Sequence, residues 1–132
     1  MLETLRRAFE TEPCVTNALV FGSRARGTAH SQSDVDVAVE LIAGAARDAV
    51  ALGSLTARLE SAVQHTVNLV LLDEAPPRLA YRIFRDGHLL LERDHALLAG
   101  RKARAILDYL DFKPVEDLCA EGVLRAAAAR GR

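Results

Sequence analysis

The chain has 132 residues, of which 50% are hydrophobic and 27% are charged, and its formal net charge is −1. This length accommodates one domain with a real core, and the balanced charge gives no reason to expect direct nucleic-acid binding. The sequence has neither a basic start followed by an apolar signal core nor an apolar run long enough to cross a bilayer, so no membrane association and a cytoplasmic location are expected.

The first predicted elements are a packing helix and a short buried strand. Apolar residues recur at helical spacing from Leu2 to Phe9, and Pro13 limits that helix. The apolar run from Ala18 to Phe21 ends at Gly22, which is typical of a strand that stops at a tight turn. The first polar candidates for function lie in the turn that follows.

The second predicted strand, residues 34–41, begins with two carboxylates. Asp34 and Asp36 are two residues apart, so in a strand they project from the same face at one end of the sheet. Two like charges this close are unfavourable unless a positive charge lies between them, and Mg²⁺ is usually held by one or two carboxylates together with substrate phosphates. The sequence therefore predicts a magnesium site at this end of the sheet.

Gly22 and Ser23 are the candidates for binding the phosphates. Gly22 lacks the side chain that would keep a ligand away from the backbone, and Ser23 offers a hydroxyl and a main-chain N–H at the start of a possible helix. Arg24 and Arg26 can add fixed positive charge for phosphate oxygens. Alone, a Gly-Ser pair is an ordinary turn and an Asp-x-Asp pair is usually a solvated loop, but their conjunction favours a nucleotide-binding site.

The pattern Gly22-Ser23, ten residues, then Asp34-x-Asp36 resembles the signature of the DNA polymerase β-like nucleotidyltransferase superfamily. The surrounding residues, Leu19 to Leu41, resemble the MNT-type minimal nucleotidyltransferases, which are antitoxins of HEPN/MNT toxin–antitoxin pairs. The resemblance implies an α/β fold in which helices flank a small mixed sheet. It also implies that AMP is transferred from ATP, with Mg²⁺, to a tyrosine hydroxyl of a cognate HEPN toxin ribonuclease.

A helix and a third strand are predicted next. Residues 47–63 read as a helix that crosses over one face of the sheet, with Val50 in its apolar stripe and Arg58 left for solvent. Residues 66–72 are almost continuously apolar, which is typical of a central strand. The sequence thus predicts a βαβ unit after the carboxylate pair.

The third strand carries the main departure from the resembled family. Those enzymes have a third carboxylate there, in a Val-Asp-Leu-Val context, which completes the metal cluster and activates the attacking hydroxyl. Here Asn68 takes that position. An amide can bind a metal through its oxygen but carries no charge and accepts no proton near neutral pH. The catalytic candidates are therefore Asp34, Asp36 and Asn68, with catalysis weakened, while Asp73 is expected to end the strand outside the cluster.

The remaining segments are expected to be architectural. Pro76-Pro77 opens a helix that reaches Arg85, residues 88–92 form a short strand, and helices are expected over about 95–110 and 115–129. Together these elements predict one nucleotidyltransferase domain over residues 1–132, with a core at about 14–93 and C-terminal helices at about 95–130. His30 is assigned to a solvated loop, and the other histidines, His65, His88 and His95, to structural or surface positions.

Three functions remain open at this point. The first is transfer of AMP to a HEPN toxin. The second is a nucleotide-binding antitoxin that Asn68 has weakened as a catalyst and that neutralises the toxin by forming a complex. The third is a nucleotidyltransferase acting on small molecules such as aminoglycosides, although this chain lacks the length for the additional acceptor-binding domain that those enzymes usually carry.

Overall fold

The computed structural model describes residues 1–26 and 33–111. Its elements are α1 (Leu2–Glu10), β1 (Val15–Phe21), α2 (Ser23–Arg26), β2 (Val35–Leu41), α3 (Ala49–Val63), β3 (Val67–Leu71), α4 (Pro77–Asp86) and β4 (His88–Glu92). A further helix, α5, is described over residues 95–111. His30 and the predicted helix over 115–129 lie outside the described residues, so the single domain over 1–132 stays a prediction. None of the described helices is both long and apolar enough to span a bilayer.

The strands form one mixed sheet in the order β3-β2-β1-β4. Strands β2 and β3 are parallel, because α3 carries the chain back across the sheet between them. Strand β1 pairs antiparallel with both β2 and β4. The predicted fold, a small mixed sheet flanked by helices, is confirmed.

Apolar residues cover both faces of the sheet, because side chains alternate along each strand. On the face that we call the first face, Val37 and Val39 pack with residues of α1 and α3, including Phe9 and Leu59. On the opposite, second face, a smaller cluster includes Ile83 of α4 and Leu98 of α5. Its strand members are Leu19, Phe21 and Ala38, and Leu72, which directly follows β3, also belongs to it. By the same alternation, Asp36 lies on the second face, two residues before Ala38.

The prediction that the third strand is central was wrong. In the described sheet β3 pairs with β2 alone, so it is an edge strand. Its apolar run has another cause, since Val67 and Leu71 belong to the first-face core while Val70 packs against the second-face cluster. Coverage on both faces, rather than pairing on both edges, explains the composition of this strand.

The predicted apolar stripe of the crossover helix was also partly wrong. Val50 is 79% exposed, whereas the buried residues of α3 are Leu55, Leu59 and Val63, spaced four apart. The first turn of α3 is held instead by Asp48, whose Oδ1 accepts a hydrogen bond from the Ala51 N–H at 2.8 Å. In the first turn Leu52 is only partly buried against the core and Val50 does not contribute to it, so the fully buried residues begin in the second turn.

Candidate active site

The polar cluster lies where β2 and β3 begin. Asp36 is the second residue of β2, Asn68 is the second residue of β3, and the two are direct partners in the parallel register. Asp34 lies just before β2. Parallel pairing with this register brings the three side chains to one end of the sheet, as the Asp-x-Asp spacing required.

Asn68 contacts both carboxylates through a single nitrogen. Its Nδ2 donates to Asp36 Oδ1 at 3.0 Å and lies 3.4 Å from Asp34 Oδ2. Asp34 and Asn68 are exposed and Asp36 is half-buried, so solvent and ligands can reach the cluster. The two carboxylate oxygens thus converge on one point, although they belong to residues with like charge.

Gly22 closes the cluster on the β1 side. Phe21 is the register partner of Asp36, which places the following residue against the carboxylate. Gly22 has φ +72°, and a Cβ built on it would collide with Asp36 Oδ2. The positive φ therefore favours glycine at this turn, and any Cβ there would force the Asp36 carboxylate to move.

Ser23 begins the short helix α2, which also contains Arg24 and Arg26. The side-chain positions of these two arginines lie outside what the structure describes. Helix α2 is joined to β4 by a contact of 2.8 Å between His88 Nε2 and the Ala25 carbonyl oxygen. His88 was predicted to have a structural or surface role, and this contact is a structural one. The sequence offers no local signal for it, because 63 residues separate the two partners.

The donor set suits a hard divalent cation. Among the described residues, no group of three or more His, Cys, Asp or Glu side chains could hold a metal. Two carboxylates and a nearby amide remain at Asp34, Asp36 and Asn68. Mg²⁺ is commonly bound in this way, because phosphate oxygens and water complete its coordination. The residues present therefore fit Mg²⁺ delivered together with a nucleotide better than a metal held by protein ligands alone.

A polar pocket of about 640 Å³ opens beside the cluster. It extends from Asp34 towards the end of α3 and the start of β3, on the side away from Gly22. Its lining residues are Ser33, Asp34, Glu60, Ser61, Gln64, His65 and Thr66. This volume lies in the range of pockets that hold small ligands. The pocket shares Asp34 with the cluster but is lined by neither Asp36 nor Asn68.

Asp73 lies beyond the opposite end of β3 and takes no part in the cluster. Its Oδ2 lies 2.8 Å from Nη2 of Arg47, which precedes α3. The Arg47 guanidinium hydrogen-bonds this carboxylate and holds the pKa of Asp73 below its ordinary value. The contact ties the segment before α3 to the end of β3.

The model of the family "Polymerase beta, Nucleotidyltransferase" matches residues 3–96. The chain belongs to the polymerase β nucleotidyltransferase family. The matched range contains the Gly22 turn, the two aspartates and Asn68, so the residues of the cluster lie within the family domain. No curated protein matches this chain.

Several solved structures are similar to this chain. A chain of a toxin–antitoxin crystal structure with AMP-PNP has a TM-score of 0.76 at 23% identity, over 93% of this chain and 98% of its own. A chain of the Shewanella oneidensis complex between a tri-AMPylated HEPN toxin and an MNT antitoxin has a TM-score of 0.71 at 20% identity. The match covers 94% of this chain and 99% of that chain. A chain of the MntA–HepT toxin–antitoxin complex has a TM-score of 0.67 at 22% identity, and the match covers 91% of each chain. These matches show a shared fold, and the family match over residues 3–96 confirms the resemblance to the polymerase β-like nucleotidyltransferases.

Proposed function

We propose that this nucleotidyltransferase binds ATP with Mg²⁺ and transfers AMP to a hydroxyl group, with release of pyrophosphate. The observation that carries this proposal is the convergence of Asp34 and Asp36 beside the Gly22 turn. Two acidic oxygens aimed at one point, next to a backbone that a ligand can approach closely, suit a cation bridging to phosphates. Membership of the nucleotidyltransferase family supports the same chemistry.

In such a transfer, the residues of the cluster and of the Gly22 turn would have different roles. Asp34 and Asp36 would hold the cation, which would supply positive charge for the attacking and leaving oxygens. Gly22 admits the phosphates close to the backbone, and Ser23 donates a hydrogen bond to them. Arg24 and Arg26 add positive charge near the phosphates. Catalysis then rests mainly on positioning and charge compensation.

The proposed acceptor is a tyrosine hydroxyl of a HEPN toxin, which would make this chain an antitoxin. Support comes from the similar structures, which are toxin–antitoxin complexes, one of them with a tri-AMPylated HEPN toxin. The acceptor can reach the cluster from solvent, because Asp34 and Asn68 are exposed. A cytoplasmic location and a single domain over residues 1–132 are part of this proposal.

Transfer of radiolabel tests this function directly. The chain is incubated with ATP labelled at the α-phosphate, Mg²⁺ and a purified HEPN toxin encoded beside its gene. We expect label on the toxin, dependent on Mg²⁺ and lost in Asp36→Asn. The matched control is Asp73→Asn, which removes the same charge at the other end of β3 and should retain transfer. Label that persists in Asp36→Asn would contradict the proposal.

A second candidate is an antitoxin that acts by binding alone. The observation that favours it is Asn68, an amide at the position where the family pattern has a third carboxylate. The same incubation separates the two candidates. A stable complex that inhibits the toxin without any label would favour binding, whereas label on the toxin would favour transfer.

A further inference from the structure

The Asn68 side chain bridges the two acidic residues of the cluster. Its Nδ2 lies 3.0 Å from Asp36 Oδ1 and 3.4 Å from Asp34 Oδ2. We call this pair of contacts the Asn68 bridge. The inference drawn from it rests on the proposed function, because it concerns the residues that would hold the cation.

The bridge compensates the repulsion between the two carboxylates. Two like charges that share a site destabilise each other, and the hydrogens on an amide nitrogen carry partial positive charge. Both carboxylates face the same Nδ2, so the bridge offsets part of their mutual repulsion.

A cation bound by both residues would compete with the bridge. It would need the same oxygens, Asp36 Oδ1 and Asp34 Oδ2, that now face the Asn68 nitrogen. An amide nitrogen with two hydrogens does not coordinate a cation, whereas the amide oxygen does. Because Asn68 is exposed, its terminal amide has space to rotate.

We propose that Asn68 is a positioning residue that exchanges with the cation. Without metal, its Nδ2 holds Asp34 and Asp36 together. When Mg²⁺ binds, the bridge breaks and the amide turns over, so that Oδ1 rather than Nδ2 faces the carboxylates and the cation. The exchange keeps the affinity for Mg²⁺ alone low, and the metal is bound tightly only together with the phosphates of a nucleotide.

Nuclear magnetic resonance of the side-chain amides tests the exchange. The labelled protein is measured in EDTA and then with Mg²⁺ and a non-hydrolysable ATP analogue. We expect the Nδ2 proton signals of Asn68 to shift strongly, together with the carboxyl carbons of Asp34 and Asp36. Asn17 is the internal control, because its Nδ2 donates to the Asp94 carbonyl oxygen at 3.1 Å, beside the β4 end remote from the cluster. Its signals should not move.

The possible results of this measurement are distinct. Carboxyl carbons that shift while the Asn68 amide signals stay in place would overturn the exchange and leave the proposed function intact. Carboxyl carbons that do not shift at all would overturn both, since no cation would then bind there.

A variant gives an independent readout. In Asn68→Asp the bridge is lost and a third carboxylate is added, so we expect a lower melting temperature in EDTA and an affinity for Mg²⁺ alone about tenfold higher or more. Ser54→Asp is the matched control, because it adds the same charge at an exposed position of α3 that does not line the pocket with Asp34. Equal Mg²⁺ affinity in wild type and Asn68→Asp, measured by calorimetry, would contradict the proposal, as would an equal gain in Ser54→Asp.

Discussion

At the scale of single residues, Gly22 and Asp36 constrain each other. The antiparallel register of β1 and β2 sets Phe21 opposite Asp36, and the next residue turns away with φ +72°. Any side chain at this turn would occupy the space of the Asp36 carboxylate. The turn and the acidic cluster are therefore parts of one arrangement, although twelve residues lie between Gly22 and the start of β2.

Replacing Gly22 by alanine should damage both stability and binding. Gly22→Ala adds backbone strain and a collision with Asp36, so we expect a loss of about 3 kcal/mol in the free energy of unfolding and a large loss of Mg²⁺–nucleotide affinity. Gly44→Ala is the matched control, because Gly44 has φ +82° but open space around the position of a Cβ. Gly44→Ala should lower the free energy of unfolding by only about 1–2 kcal/mol and leave nucleotide affinity unchanged. Equal effects of the two variants, in urea unfolding and calorimetry, would contradict the role of Gly22.

Restoring a carboxylate at the third position should raise the rate of transfer. Asn68→Asp supplies a charged group that can bind the metal and accept a proton, and such groups commonly contribute about 10²–10⁴-fold to a rate. We expect AMP transfer to increase at least tenfold, measured as label on the toxin per unit time. Asn68→Ser, which supplies no carboxylate, serves as the control. No gain with Asn68→Asp would mean that another residue takes the role of the base.

At the scale of elements, helix α5 is attached to the sheet by an ion pair as well as by apolar contacts. Arg101 Nε lies 2.6 Å from Oε1 of Glu40, a β2 residue that is only 2% exposed. On the same helix Leu98 packs against the second-face cluster and Ala105 is buried. A buried carboxylate needs a partner, so the position of α5 depends on Arg101.

Removing the guanidinium should therefore destabilise the protein. Arg101→Leu leaves Glu40 buried without its partner, and we expect a loss of about 2–4 kcal/mol in the free energy of unfolding. Arg104→Leu is the matched control on the same helix, because Arg104 pairs with Asp108 at an exposed position. Its cost should stay below about 0.5 kcal/mol. A double replacement of Arg101 and Glu40 by leucine should recover part of the loss, and failure to separate the two single variants in urea unfolding would contradict this role.

The contact between Arg47 and Asp73 should appear in the acid stability of the protein. The guanidinium lowers the pKa of Asp73 in the folded state from its ordinary value of 3.8. The stabilisation is therefore fully present above that value and is lost as the pH falls through the lower pKa of the folded state. Wild type should exceed Asp73→Asn in unfolding free energy at pH 7, and the difference should shrink below about pH 4. A difference that does not change between pH 7 and about pH 3 would show that the contact is not electrostatic.

At the scale of the whole molecule, the residues of the candidate active site lie together at one end of the sheet. Strands β2 and β3 begin there and β1 ends there, so the Gly22 turn, the aspartates and Asn68 meet at one end of the sheet. Apolar clusters on both faces fix the strands below this end. The apolar core thus determines the relative positions of the polar side chains.

Local patterns in the sequence predicted those parts of the molecule that depend on neighbours along the chain. The Asp-x-Asp spacing predicted that Asp34 and Asp36 face the same side of the sheet. The helical pattern between two apolar runs predicted that β2 and β3 are parallel. Contacts between distant residues were not predictable, such as the bridge from Asn68 or the contact of His88 with Ala25. The edge position of β3 was missed because apolar composition reports which faces are covered and carries no information on which edges are paired.

The central claim is that Asp34 and Asp36 bind a nucleotide through Mg²⁺. Calorimetric titration with a non-hydrolysable ATP analogue tests it most directly, with Mg²⁺ or with EDTA, in wild type, Asp36→Asn and the control Asp73→Asn. We expect binding that requires Mg²⁺ in wild type and in Asp73→Asn, and that Asp36→Asn abolishes. Equal affinity with Mg²⁺ and with EDTA, or undiminished affinity in Asp36→Asn, would contradict the account.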